Sequence, residues 1–256
     1  MTSRKHHKNK SSSTRIKKGS HTPILPINTK INPTIYKNLF KIQGLITIPN
    51  FLETKFANTF YDFLQKEMTD EWWYLSAFYG EDKVIINNIP PNKSKVIEAK
   101  KLANQKFIDD EFSYAFYRTY NNHFPECDCP ECKLRKIMSS QEFIQYISNI
   151  TGLSLEKNTE LFLSKYGSDC FLNVHNDQGN GKIAFVINMT RNWKPQYGGN
   201  FYILSNNRKT VRKIITPQFN SLTIFKIPEP NGIPHYVSHV ISGVKYNRLA
   251  IGGWFS

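Results

Sequence analysis

After Leu155 the chain changes character. Eight short β-rich runs follow, at 160–166, 170–175, 182–190, 200–204, 211–215, 221–227, 235–241 and 247–255, each set off by Gly, Pro or Asn. So many short strands with turn residues between them predict an all-β sandwich or barrel. No stretch of about 18 consecutive apolar residues occurs, so the sequence reading excludes a membrane span.

The residues before this point read differently. Residues 41–50 predict a strand ending at Pro49-Asn50. Asn50 or Glu53 then opens a helix whose Phe56, Phe60, Phe63 and Leu64 recur on one face. Trp72-Trp73-Tyr74 reads as a short aromatic strand, 95–110 as a helix and 112–120 as a β-rich run. Ser139 and Ser140 with Glu142 suggest a capping box for a helix stopped at Thr151-Gly152. The expectation is a mainly β, α+β fold. One domain spans 41–256, with helical support at 41–155 and the β core at 156–256.

Charge sets the remaining boundary. Of the 34 Lys+Arg and 20 Asp+Glu among 256 residues, the first 52 residues hold ten basic and no acidic side chains. They carry most of the formal net charge of +14. Residues 1–40 are therefore read as a basic, largely disordered tail, with too little apolar content in 1–22 to offset ordering entropy. Such a tail solubilises the chain, serves as a nuclear address or attracts nucleic acid through Arg15, Lys17 and Lys18. The first twenty residues lack an apolar stretch of signal-peptide type, so a cytoplasmic or nuclear location is expected and secretion is not. Four cysteines are too few for a disulfide scaffold. Nothing in the sequence sets an oligomeric state.

The chemistry-bearing residues cluster in the β half. His175-Asn176-Asp177 places an imidazole and a carboxylate two apart, which on a strand share a face. Two His and one carboxylate form the facial set of non-haem Fe(II) oxygenases. The second His comes from Pro234-His235-Tyr236-Val237-Ser238-His239-Val240, where His235 and His239 compete. Arg248 opens the apolar run RLAIGGWF, where an unpaired buried charge is costly. Its planar guanidinium suits a ligand carboxylate.

These stretches resemble the 2-oxoglutarate- and Fe(II)-dependent oxygenases of the prolyl-hydroxylase branch, and in particular the ribosomal-protein prolyl hydroxylases with their viral and bacterial relatives. The likeness rests on HND at 175–177, KIAFVINMTRNWKPQYGGNFYIL at 182–204, FNSLTIF at 219–225, PHYVSHV at 234–240 and RLAIGGWF at 248–255, and it runs from about residue 45 to the end. The resemblance implies a double-stranded β-helix, or jelly-roll, core. It implies His175, Asp177 and His235 as iron ligands and catalytic centre, because the family's distal ligand opens an HxV motif. Arg248 would grip the distal carboxylate of 2-oxoglutarate, and Tyr166 would contact the cosubstrate. Asn188 stands where hypoxia-sensing relatives carry a cosubstrate-binding tyrosine, and its amide would bind the cosubstrate by donating to a carboxylate. Gly198-Gly199 implies a close backbone approach, and Trp193 and Trp254 read as core aromatics. The implied cofactors are Fe(II), 2-oxoglutarate and O₂, with ascorbate as reductant. The implied reaction hydroxylates a prolyl residue of a protein substrate with release of succinate and CO₂.

Two alternatives stand beside this one. An inactive relative would bind protein or nucleic acid, and an active one would oxidise another amino acid or a nucleobase. A separate group, His123, Cys127, Cys129 and Cys132, has the donor types of a zinc site; the competing reading is three reduced loop thiols. Cys170 reads as a small core residue.

Overall fold

The computed structural model describes residues 25–119, 127–228, 230 and 232–256. The basic stretch 1–22 and His123 lie outside them. Among the described residues no helix is long and apolar enough to cross a membrane.

The chain begins with helix α1 (Pro33–Gln43). Asn32 caps it by accepting the Thr34 N–H, Pro33 suits its first turn, and Gly44 ends it at φ 66°. Phe40 is fully buried between α1, helix α5 (Gln141–Thr151) and strand β1 (Leu45–Ile48). The tail boundary at residue 40 therefore falls inside a folded helix and has to move back; charge marked the exposed face of α1 but not the one aromatic that docks it. Residues 41–43 close α1, and the predicted strand 41–50 shortens to β1. Phe40→Ala should cost about 3–5 kcal/mol of stability, read as a lower denaturation midpoint in urea. A loss below about 1 kcal/mol would mean that α1 is not part of the cooperative unit.

Helix α2 (Thr54–Lys66) buries Phe60, Phe63 and Leu64 at the predicted spacing. Strands β2 (Trp73–Phe78), β3 (Lys83–Asn87) and β4 (Tyr114–Thr119) form a meander, with helix α3 (Lys93–Ile108) packed on β2 and β4. Trp72 belongs to the turn before β2. Strand β3 and helix α4 (Pro130–Met138) were not expected from sequence. In α5, Ser140 accepts the Phe143 N–H, but Phe143 holds the position a capping box reserves for Glu or Gln, so only half of the box forms.

All eight predicted β runs are strands: β5 (Asn158–Tyr166), β6 (Phe171–His175), β7 (Ile183–Asn188), β8 (Phe201–Leu204), β9 (Val211–Ile215), β10 (Ser221–Lys226), β11 (His235–Val237) and β12 (Arg248–Phe255). Their ladder runs β1-β10-β7-β12-β5-β4-β6-β11-β8-β9. One wall is β10-β7-β12-β5 and the other β6-β11-β8-β9. β4 joins them, pairing with β5 through Tyr117 and Arg118 and with β6 through Tyr114 and Ala115. The central strands β7, β10 and β12 are buried almost throughout, whereas the edge strands β3 and β9 are largely exposed. This is the expected mainly β jelly-roll with flanking helices.

Gly198 and Gly199 serve the close approach foreseen for them. Their φ values are 75° and 62°, and a Cβ on Gly198 would lie 1.9 Å from the His239 carbonyl oxygen. Any side chain there would push apart the turn before β8 and the chain after β11.

Candidate active site

The two walls enclose a cavity of about 290 Å³. Strand alternation decides what faces it. β4 contributes Tyr114, Phe116 and Arg118, β5 contributes Phe162, Ser164 and Tyr166, and β12 contributes Arg248, Gly252 and Trp254. The opposite wall supplies His175, His235 and Val237.

His175 and His235 face one another because β6 and β11 pair them directly, with ring centroids 4.1 Å apart. Asp177 is not on the strand. β6 ends at His175, and Asp177 turns back at φ 55°, a left-handed conformation that Asp tolerates better than most residues. The HxD pair meets as expected, but through a turn rather than through strand alternation. The Asp177 oxygens lie 3.3 Å from His175 Nε2 and 3.3 Å from His235 Nε2, and ligand atoms of all three residues lie within 4.8 Å of one another.

Proton placement follows from the partners. His175 Nδ1 is 2.9 Å from the Asn173 carbonyl oxygen, and His235 Nδ1 is 2.7 Å from that of Ile233. Carbonyls only accept, so each Nδ1 carries the hydrogen and each Nε2 of a neutral ring presents a lone pair. Two lone pairs and a carboxylate then point at one small space, which requires either protons or a cation. Burial lowers the pKa of His235, with the neighbouring His175 adding to the effect, which disfavours the proton. Burial alone would raise the Asp177 carboxyl, but hydrogen bonds and charge from His175 and His235 outweigh it and hold the carboxyl well below the usual carboxylate range. The donor set therefore fits a divalent first-row metal.

His239 is elsewhere. Its ring stacks on Phe171 at 4.0 Å and meets Phe107 edge-on at 4.6 Å. The strand that would put His235 and His239 on one face ends at Val237.

Arg248 is 3% exposed and pairs in register with Tyr166, whose ring its guanidinium overlies at 5.1 Å. Its Nε and Nη1 are buried without hydrogen-bond partners, and no carboxylate reaches it among the described residues. Burial lowers its pKa, yet a guanidinium stays charged. Tyr166 lines the cavity, stacked on Phe116 at 4.9 Å. Asn188 sits behind this layer. It borders a void of about 10 Å³ shared with Arg248, and its Nδ2 donates to Ser221 Oγ at 3.3 Å.

Several cavity residues were missed. Arg118 pairs with Glu160 and overlies the Phe162 ring at 3.9 Å. Trp254 is a wall residue as well as a packing one, with a buried Nε1 that lacks a partner. The signal was present as the alternation Phe112, Tyr114, Phe116, Arg118. Trp193 is core, with its Nε1 donating to the Gly198 carbonyl at 2.9 Å.

The sulfurs of Cys127, Cys129 and Cys132 also converge, away from this cavity. Burial and the two neighbouring thiols push Cys132 up to about 12. The reading of this segment as a loop is corrected: Cys129 is the N-cap of α4 and Cys132 lies in its first turn. Cys170 is fully buried, as expected of a core residue.

Residues 161–256 match the model of the 2OG-Fe(II) oxygenase superfamily. Prolyl 3-hydroxylase OGFOD1 of Xenopus laevis is 32% identical over 120 residues, covering 45% of this chain and 23% of that protein. Its counterpart in Mus musculus is 26% identical over 212 residues, covering 76% and 38%. The chain thus spans less than half the length of these relatives. Among solved structures, a prolyl-4-hydroxylase of Pseudomonas putida shares the fold at TM-score 0.54 and 14% identity, over 91% of this chain and 95% of that one. A prolyl hydroxylase of Trichoplax adhaerens, in complex with a hypoxia inducible factor oxygen degradation domain peptide, does so at 0.56 and 17%, over 87% and 88%.

Proposed function

We propose that this chain, whose residues 161–256 match the model of the 2OG-Fe(II) oxygenase superfamily, is a 2-oxoglutarate-dependent dioxygenase that hydroxylates a prolyl residue of a protein. The observation that carries this reading is the buried guanidinium of Arg248, left without a hydrogen-bonded partner in the same cavity as the two His and one Asp. A buried cation without a partner is costly, and a dicarboxylate ligand removes that cost.

His175 Nε2, His235 Nε2 and an Asp177 oxygen would hold Fe(II). Bound iron would supply the activation of O₂, which oxidises both 2-oxoglutarate, to succinate and CO₂, and a substrate C–H bond, to C–OH, one oxygen atom going to each. The chain supplies placement. The Nδ1 hydrogen bonds to Asn173 and Ile233 fix both rings with Nε2 inward. Arg248 would orient the cosubstrate by its distal carboxylate, and Tyr166 packs beside that contact. Phe112, Tyr114, Phe116, Phe162 and Trp254 form an apolar wall that excludes water and accepts an apolar side chain. Ascorbate would serve as an external reductant that keeps the iron ferrous. The prolyl substrate is supported by the names of the curated relatives.

The test is succinate formation that needs both Fe(II) and 2-oxoglutarate, with mass spectrometry of prolyl peptides for the gain of one oxygen atom. Succinate that forms without added iron after chelation would overturn the reading. The two histidine candidates separate in the same assay. His235→Ala should lose iron and turnover, while His239→Ala should keep both and melt at a lower temperature, because it empties a stack between Phe107 and Phe171. The reverse pattern would move the ligand to His239.

A further inference from the structure

Outside the cavity, one other group of donors converges among the described residues. Cys127 and Cys129 immediately precede α4, and Cys132 lies in its first turn. Their sulfurs all lie within 4.8 Å of one another. Tetrahedral zinc with Zn–S distances of about 2.3 Å places its sulfurs roughly 3.8 Å apart. A contraction of about an ångström or less would seat the ion. All three residues are thiols rather than disulfides; Cys132 is buried, and Cys127 and Cys129 are half-buried.

The surroundings suit an anionic metal–thiolate centre. The Cys132 N–H donates to Cys129 Sγ at 3.4 Å, so the sulfur is already oriented by the end of a helix. The positive pole of α4 faces these sulfurs. The same helix carries Lys133, Arg135 and Lys136, and the Lys136 ammonium reaches the Cys127 carbonyl at 3.5 Å. Three thiolates on a dication leave one net negative charge, which falls to Lys136, since Lys133 pairs with Asp128 and Arg135 with Glu131.

We propose that Cys127, Cys129 and Cys132 hold a structural zinc ion, with a nitrogen or oxygen donor in the fourth position. Thiolates select zinc over the harder cations. The ion would brace the cavity from behind. Next to Cys132, the fully buried Glu131 accepts from Thr119 Oγ1 at 2.8 Å and from Arg135 Nη2 at 2.6 Å. Arg135 Nη1 in turn donates to the Leu161 carbonyl. Thr119 and Leu161 are the immediate neighbours of Arg118 and Glu160, the ion pair on the cavity side of β4 and β5. Zinc at the head of α4 would lock this chain of contacts.

The inference does not rest on the reading of the cavity, and one set of preparations separates the two. The full chain is purified from zinc-supplemented cells, and zinc and iron per chain are measured by atomic emission. The wild type should carry one zinc. Asp177→Ala should keep that zinc while losing iron. Cys127→Ser, a half-buried position outside the helix, should lose zinc and keep its iron. Independently of any variant, metal-free wild type titrated with Co(II) should develop a sulfur-to-cobalt charge-transfer band that saturates at one additional equivalent. Zinc removal should lower the melting temperature. A wild type with less than about a tenth of an equivalent of zinc and no charge-transfer band would overturn the proposal. So would a disulfide among the three cysteines in protein purified under reducing conditions, or zinc content unchanged in Cys127→Ser.

Discussion

Asp177→Ala should abolish turnover and iron binding together, and leave the fold in place. Among the described residues the carboxylate is the only anion between the two imidazoles, so its loss removes both a ligand and the charge that draws a dication into a buried space. The backbone needs separate control. At φ 55°, Ala carries a cost of roughly 1–2 kcal/mol that Asp partly avoids. Asp177→Gly adopts this conformation freely, so it should melt above Asp177→Ala and be equally inactive. Iron-dependent succinate formation in the Gly variant would show that the carboxylate is not a ligand. Circular dichroism and iron content on the same samples complete the measurement.

Arg248→Ala should raise the 2-oxoglutarate requirement steeply while iron binding survives. Losing a charge-assisted contact to a buried carboxylate costs about 2–5 kcal/mol, much of it the stranded charge of the ligand. That corresponds to roughly 30-fold to several thousand-fold in affinity. Arg248→Lys recovers part of this as a point charge without the planar fork. A second readout has the opposite sign. Without ligand, the buried guanidinium has two nitrogens without hydrogen-bond partners, so Arg248→Met removes a destabilising group of similar length. The ligand-free Met variant should melt as high as the wild type or higher. If Arg248 instead served a structural ion pair, the variant would melt lower and keep its 2-oxoglutarate affinity. Thermal melts with and without 2-oxoglutarate decide between the two.

The β half was legible in sequence because turn residues and alternation are local properties. Each of the eight runs became a strand, and the ligand candidates converged because β6 and β11 pair His175 with His235. What sequence did not carry was non-local. α4 was hidden by cysteines and charges that resemble a loop, and it forms because Cys129 caps it and Glu131 anchors it to Thr119 and Arg135. α1 was hidden because one buried aromatic among basic residues leaves the composition of a tail. The choice between His235 and His239 was a matter of strand length. Both would share a face on a long strand, but β11 stops at Val237, and His239 turns into the aromatic stack.

The placement of β4 has a mechanical consequence. One strand is hydrogen-bonded to β5 at one end and to β6 at the other. The cavity is therefore a crease in a single continuous ladder, not a gap between two plates that could hinge apart. Spreading the walls would break main-chain bonds along β4, and the two histidines and Arg248 would lose register with one another at the same moment. Phe112 lines the crease and is itself exposed to solvent. Amide hydrogens of β4 should accordingly exchange as slowly as those of the innermost strands.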